Sequence, residues 1–287
     1  MTTRVRIGAV AYLNAKPLVR GLELGLGSER IELTHAVPSA LAACLAAGQL
    51  DIALLPSIEL ARIPDLTVVP GIGISSRGPA ASVLLVTRKA LADVRSVALD
   101  PDSRTSNALV QILFADVWGG SPEFVAGAPA LERALELHDA AVRIGDKALF
   151  GAIPASCEAI DLGEAWTRRT GLPFVFAVWA ARPGVLDREI YMLLHESRRR
   201  GTASRERIAA DYLWEGRSWP ERSLEYLTRR IFFRLGAPEV EGLERFLEAA
   251  HRLGIVPRPT ALRLARFTET ACDTPEPGRA VPVEHDR

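Results

Sequence analysis

A few short segments carry residues able to bind or transform a small polar molecule. Asn14 stands directly after a strand-like run, in Tyr12-Leu13-Asn14-Ala15-Lys16-Pro17. An Asn amide donates and accepts at once, so it suits a ligand hydroxyl or carboxylate, and equally a turn at a strand end. Ser103-Arg104-Thr105-Ser106 opens a helix that follows a strand. Free backbone N–H groups and the positive end of the helix dipole make such a place an anion site. The hydroxyls of Ser103, Thr105 and Ser106 add donors, and Arg104 can pair with a carboxylate through two hydrogen bonds. Plain N-capping by Ser103 fits the same pattern. Ser57, in Pro56-Ser57-Ile58-Glu59, reads as a cleft donor or a helix cap. The segment from Ser75 through Arg77-Gly78-Pro79-Ala80-Ala81 to Ser82 offers hydroxyls and a glycine for close approach of a ligand, or a bare turn. Asp146, in Ile144-Gly145-Asp146-Lys147, can orient a ligand hydroxyl or cap the next helix.

What is missing narrows the chemistry. His35, His138, His195, His251 and His285 are dispersed, with no metal-ligand spacing to Cys or to one another. There is no Gly-x-Ser-x-Gly elbow and no P-loop. Gly71-x-Gly73-x-x-Ser76 lacks the third glycine of a dinucleotide loop and does not lie between a first strand and its helix. Trp166 and Trp179 can wall a ring-binding pocket or fill the core, and the core is the ordinary place for them.

The elements that must position these residues follow an α/β order. Residues 5–10, 31–36 and 51–55 read as strands. Helices fall between them, from Pro17 to about Leu24 and from Pro38 to Ala47, with Pro in the first turn and Gly48 closing the second. Extended runs at 66–75 and 82–87 follow. A second unit has strands at 94–99, near Val125 and at 140–144, with helices at 105–117, 131–137 and 161–170. An aromatic, β-branched strand spans 173–180, and the chain from 186 to 250 reads as helical. Strand-helix-strand order predicts parallel sheets covered by helices. One unit inserted in another, with crossovers near 82–88 and 174–182, predicts two lobes and a cleft. Ligands bind outside the carboxyl ends of such strands. The expected lobes are 1–87 with 183–272, and 88–182, with 273–287 as a disordered tail.

Bulk properties exclude some classes. The chain has 287 residues and balanced charge, 35 basic against 35 acidic, which argues against a nucleic-acid surface. No apolar run approaches the roughly 20 residues of a membrane span. Cys44, Cys157 and Cys272 are odd in number and far apart, which suits a reducing compartment. With no apolar leader before the first strand, a cytoplasmic protein is expected.

Several of these segments, in order, resemble the chorismate dehydratase family of the futalosine route to menaquinone. They are Tyr12-Leu13-Asn14-Ala15-Lys16-Pro17-Leu18, Val37-Pro38-Ser39, Leu50-Asp51-Ile52-Ala53, Ser103-Arg104-Thr105-Ser106, Leu162-Gly163-Glu164-Ala165-Trp166 and the run from Gly171 to Ala180. The resemblance implies a periplasmic-binding-protein type II fold and the loss of water from chorismate, a dicarboxylate, with no metal or organic cofactor. It implies catalytic roles for Asn14 and Ser82. Substrate-binding roles fall to Ser57, Ser103, Arg104, Thr105, Ser106 and Asp146. A non-catalytic solute-binding protein or a ligand-sensing domain would share the fold.

Overall fold

A computed structural model describes residues 4–127 and 130–267. The first strand, β1 (Val5–Ala9), lies parallel to β2 (Ile31–His35) and β3 (Ile52–Pro56). The connections are α1 (Lys16–Glu23) and α2 (Pro38–Ala46), each with proline in its first turn, where the missing N–H costs nothing. A 3-10 turn, Leu13–Ala15, joins β1 to α1 and carries Asn14. Strand β4 (Thr67–Ser76) follows, then β5 (Val83–Thr87), β6 (Ser96–Leu99), α3 (Arg104–Leu113), β7 (Glu123–Ala126), α4 (Leu131–Leu137), β8 (Ala140–Ile144) and α5 (Gly145–Phe150). The chain continues through β9 (Glu158–Asp161), α6 (Leu162–Thr170) and β10 (Phe174–Ala181). It ends in α7 (Arg188–Ala203), α8 (Arg205–Asp211), the short pair β11 (Leu213–Trp214) and β12 (Arg217–Ser218), α9 (Pro220–Glu225) and α10 (Ala237–Arg252).

Two five-stranded mixed sheets result, in the orders β2-β1-β3-β10-β4 and β7-β6-β8-β5-β9. Strand positions follow the expected pattern closely, but sheet membership differs from the expected lobe boundaries. Residues 83–87 belong to the second sheet, paired antiparallel with β8 and β9. Residues 174–181 belong to the first, between β3 and β4. The chain therefore passes between sheets at 77–82 and 171–173, earlier than expected on both sides. An extended apolar run reads the same whichever sheet receives it, because pairing partners are set by tertiary contacts. Strand β9 was not expected; its four residues carry no alternation of their own and are held by register with β5.

The core runs through both units. Trp179, Phe174 and Ile7 from the first sheet share one buried cluster with Leu85 from the second, Leu109 from α3 and Trp166 from α6. Trp166 and Trp179 are thus core residues, 2% and 0% exposed. A smaller cluster, including Val86, Leu131 and Leu135, lies under α4. Among the described residues no helix is long and apolar enough to cross a membrane. The tail expected to be disordered, 273–287, lies outside the described residues.

Candidate functional site

Asn14, Ser82, Ser103, Thr105 and Ser106 line one cavity of about 80 Å³, although they come from different sheets. Tyr12, Pro56 and Phe176 close it from the first sheet, and Val83, Asp102 and Gly145 from the second. The volume is well below the roughly 300 Å³ at which drug-sized ligand pockets begin, so the cleft is narrow here.

The helix start of α3 is built by its own sequence. Ser103 Oγ accepts from Ser106 N–H (3.1 Å) and donates to Ser106 Oγ (2.9 Å). Ser103 is therefore the N-cap, and its hydroxyl is used up. The Ser106 hydroxyl receives that bond and keeps its own proton for the cavity. The N–H groups of Arg104 and Thr105, in the first turn, have no acceptor among the described residues, as expected for the first groups of a helix. The turn before the helix is organised by Asp100, which is 3% exposed. Its carboxylate accepts from Asp102 N–H (3.0 Å), Ile144 N–H (3.1 Å) and Lys147 Nζ (2.8 Å). Lys147 also reaches Asp102 (2.9 Å), so one cation offsets both carboxylates beside the anion site. Burial works against the Lys147 charge, yet these two hydrogen bonds hold its pKa above the usual lysine value.

Ser82 is set by an unusual turn. Ala81 adopts φ 62°, the left-handed region that costs an L-residue about 1 kcal/mol or more. Asp161 holds it there: its carboxylate accepts from Ala80 N–H (3.0 Å) and Ala81 N–H (2.6 Å) while also capping α6 through Glu164 N–H (3.0 Å). Burial raises the Asp161 pKa, and the four backbone N–H groups it faces oppose that rise. The Ser82 hydroxyl, 2% exposed, lies 2.8 Å from that of Tyr226. Asn14 Oδ1 is buried and has no hydrogen-bond partner in the structure. Buried polar atoms are normally paired, so an unpaired amide oxygen on a cavity wall is an acceptor available to a ligand. Tyr12, on the same wall, has its phenol pushed up to about 12, first by burial and then by Asp102, Asp100 and Asp146.

Three expected ligand residues are engaged elsewhere. Ser57 is fully buried and its Oγ donates to Val175 O (2.7 Å), pinning the end of β3 to β10. Arg104 turns to Glu59 (3.1 Å), which is almost wholly buried and needs a cation more than an exposed ligand would. Asp146 neither caps α5 nor lines the cavity: its carboxylate accepts from Tyr212 Oη and from Leu13 N–H (3.4 Å). Burial raises its pKa against the pull of Tyr212, Leu13 and Lys16. Thr105 has two tasks, lining the cavity and accepting from Ile58 N–H (3.2 Å). Arg104, Thr105 and Asp146 are thus ties between the two sheets' units. Sequence reasoning missed Tyr12, Asp100, Asp161 and Tyr226. Tyr12 stood inside a quoted motif; Tyr226 gave no local signal, being 144 positions from its partner.

A second, larger hollow of about 880 Å³ lies among α3, α6 and α10, lined by charged residues such as Asp116, Arg169 and Glu244. Of the residues singled out in the sequence, Trp166 borders it; the Asn14, Ser82 and Ser103–Ser106 segments do not.

The family described as menaquinone biosynthesis matches residues 5–252. A chorismate dehydratase of Thermus thermophilus is 30% identical over 261 residues, covering 85% of this chain and 94% of that protein. A chorismate dehydratase of Campylobacter jejuni is 28% identical over 250 residues, covering 85% and 92%. Among solved structures, the alkanesulfonate-binding protein of Xanthomonas axonopodis superposes with TM-score 0.64 at 17% identity, covering 92% of this chain and 98% of that one. The periplasmic aliphatic sulphonate binding protein of Escherichia coli superposes with TM-score 0.60 at 17% identity, covering 100% and 99%. At that identity the likeness concerns the fold, which is that of the two-lobed periplasmic binding proteins.

Proposed function

The chain belongs to the menaquinone-biosynthesis family, and on that footing we propose that it is a chorismate dehydratase, a hydro-lyase that turns chorismate into 3-[(1-carboxyvinyl)oxy]benzoate and water. The product enters menaquinone biosynthesis by the futalosine route. The observation that carries the assignment to this cavity is the unpaired Asn14 Oδ1 facing the same space as Ser82 and the α3 helix start.

The residues divide the work as follows. The ring carboxylate sits at the start of α3, on the Arg104 and Thr105 amides and the Ser106 hydroxyl. The hydrogen on C3 is vinylogous to that carboxylate, so donors there stabilise the negative charge that develops as the proton leaves. Asn14 Oδ1 accepts from the C4 hydroxyl and fixes its direction. Ser82 donates into the cavity beside it, toward the departing oxygen or the second carboxylate. Loss of hydroxide from C4 completes an aromatic ring, which supplies the driving force. Asp102, the carboxylate that lines the cavity, is paired with Lys147 (2.9 Å); the enolpyruvyl carboxylate of the substrate, held near by the cleft, takes the C3 proton and gives it to the departing hydroxide as water. Rotation about 77–82 and 171–173 would widen this narrow cleft for chorismate. The free thiols of Cys44 and Cys157 suit a cytoplasmic location.

The test is direct. Purified protein is incubated with chorismate, and the benzoate product is followed by chromatography and absorbance. Turnover that falls about 10²-fold or more in Asn14→Ala and Ser82→Ala, in proteins that still fold and lose far less in stability than in turnover, is expected. Tight binding without turnover would identify a solute-binding protein on the same scaffold instead.

A further inference from the structure

That division of work gives no task to Tyr226. The residue follows α9 in a widened turn, Tyr226–Arg230, and is 2% exposed. A phenylalanine would fill the same space without burying a hydroxyl, which costs free energy unless the group is bonded. Among the described residues its hydrogen-bond partner is Ser82 Oγ, at 2.8 Å.

A bond between two hydroxyls runs one way at a time. If Ser82 donated to Tyr226, Ser82 would show the cavity only lone pairs, and a carboxylate or a departing hydroxide would be repelled there. Two features favour the opposite direction. Tyr226 is buried and, among the described residues, has no other hydrogen-bond partner, so a Ser82 that donated would leave the phenol proton without an acceptor. Ser82 lines the cavity, where its own proton can meet a ligand. Asn14 Oδ1, on the same cavity wall, has no partner.

We propose that Tyr226 is a positioning residue that turns the Ser82 hydroxyl into the cavity. Tyr226 O–H donates to Ser82 Oγ, and Ser82 O–H is thereby left to point at the ligand. The site presents an acceptor, Asn14 Oδ1, and a donor, Ser82 O–H. Such a pair fits a ligand whose hydroxyl donates to the first and whose oxygen anion accepts from the second. The proposal rests on the assignment of this cavity to chorismate dehydration.

The experiment is a mutant cycle on chorismate turnover with Tyr226→Phe, Ser82→Ala and the double variant. Tyr226→Phe keeps the ring and is expected to lower kcat about tenfold with KM within about twofold, the size of one lost orienting hydrogen bond. In the Ser82→Ala background the same change is expected to lower kcat by less than about twofold, because there is no longer a hydroxyl to aim. Equal losses in both backgrounds overturn the positioning role, as does a loss confined to KM. Wild-type protein that does not dehydrate chorismate removes the functional assignment itself, whereas an active wild type with an unaffected Tyr226→Phe removes only the positioning role. If Tyr226→Phe does not fold, NMR of ζ-13C-tyrosine protein decides. A slowly exchanging Tyr226 hydroxyl proton that shifts in Ser82→Ala supports the bond to Ser82, and one insensitive to Ser82 overturns it.

Discussion

Replacing Gly201 with alanine asks whether the crossing of α1 and α7 is what places Asn14. Helix α1 starts two residues after Asn14, and Gly201 of α7 lies against its first turn. A Cβ at 201 would stand 2.0 Å from the Pro17 carbonyl oxygen and 2.6 Å from its carbon. Real Cβ atoms essentially never come within 3.0 Å of a neighbour, and these neighbours are backbone, so no side chain can swing away. The two helices must part by about 1 Å. Ser197, one turn earlier on α7, is strained by the same shift: its Oγ donates to Leu18 O (2.7 Å) and accepts from Leu22 N–H (3.3 Å). Overpacking costs about 1–3 kcal/mol, and weakening those buried bonds adds about 1 kcal/mol. A total near 3 kcal/mol lowers the melting temperature by roughly 6–12 °C in a chain of this size. Asn14 moves with Pro17, and a misplacement of about 1 Å can lower turnover by up to about 10²-fold. Circular dichroism melts and chorismate turnover measured well below the melt read both effects. A Gly201→Ala protein that melts within about 1 °C of wild type, with unchanged kcat, would refute the claim that this contact sets the site.

Two further outcomes follow from the ties between the sheets. Arg104→Ala leaves Glu59 buried without its cation; because Arg104 is itself 48% exposed, the loss should fall below the full buried-pair range, at about 2 kcal/mol. Urea unfolding should show it, and the loss should largely disappear in a Glu59→Gln background. Asp146 should give a pH dependence of definite sign. Burial holds its folded pKa above the ordinary 3.8, so its contribution is complete below that value and is lost as pH rises through the raised one. Wild-type stability relative to Asp146→Asn is expected to fall as pH increases from about 4; a difference flat with pH would rule out burial as the controlling effect.

Much of the scaffold was legible along the chain because it depends on local rules. Helices α1 and α2 could be placed from Pro17 and Pro38 at their starts, and α6 from Asp161 before it and Gly171 after it. The anion-binding character of the α3 start was legible for the same reason, since a cap and free N–H groups are properties of a few consecutive residues. Less legible was which way each side chain turns. Arg104 and Asp146 looked like ligands because charge at a helix start invites that reading, yet both answer a buried group on the opposite unit. Ser57 looked like a donor and instead fastens two strands.

The sequence by itself determined two α/β units, the elements that compose them and the segments that reach their strand ends. It also carried, through several ordered motifs, the family and hence the reaction. Only the tertiary structure decided that 83–87 and 174–181 exchange sheets, that Asp161 holds Ala81 in a left-handed conformation, and that Tyr226 meets Ser82. The physical reason is range. Capping and periodicity act over three or four residues and are written in the order of the chain. A buried polar group must be satisfied by whatever folding brings beside it, and for Ser82 that partner is a hydroxyl 144 positions away.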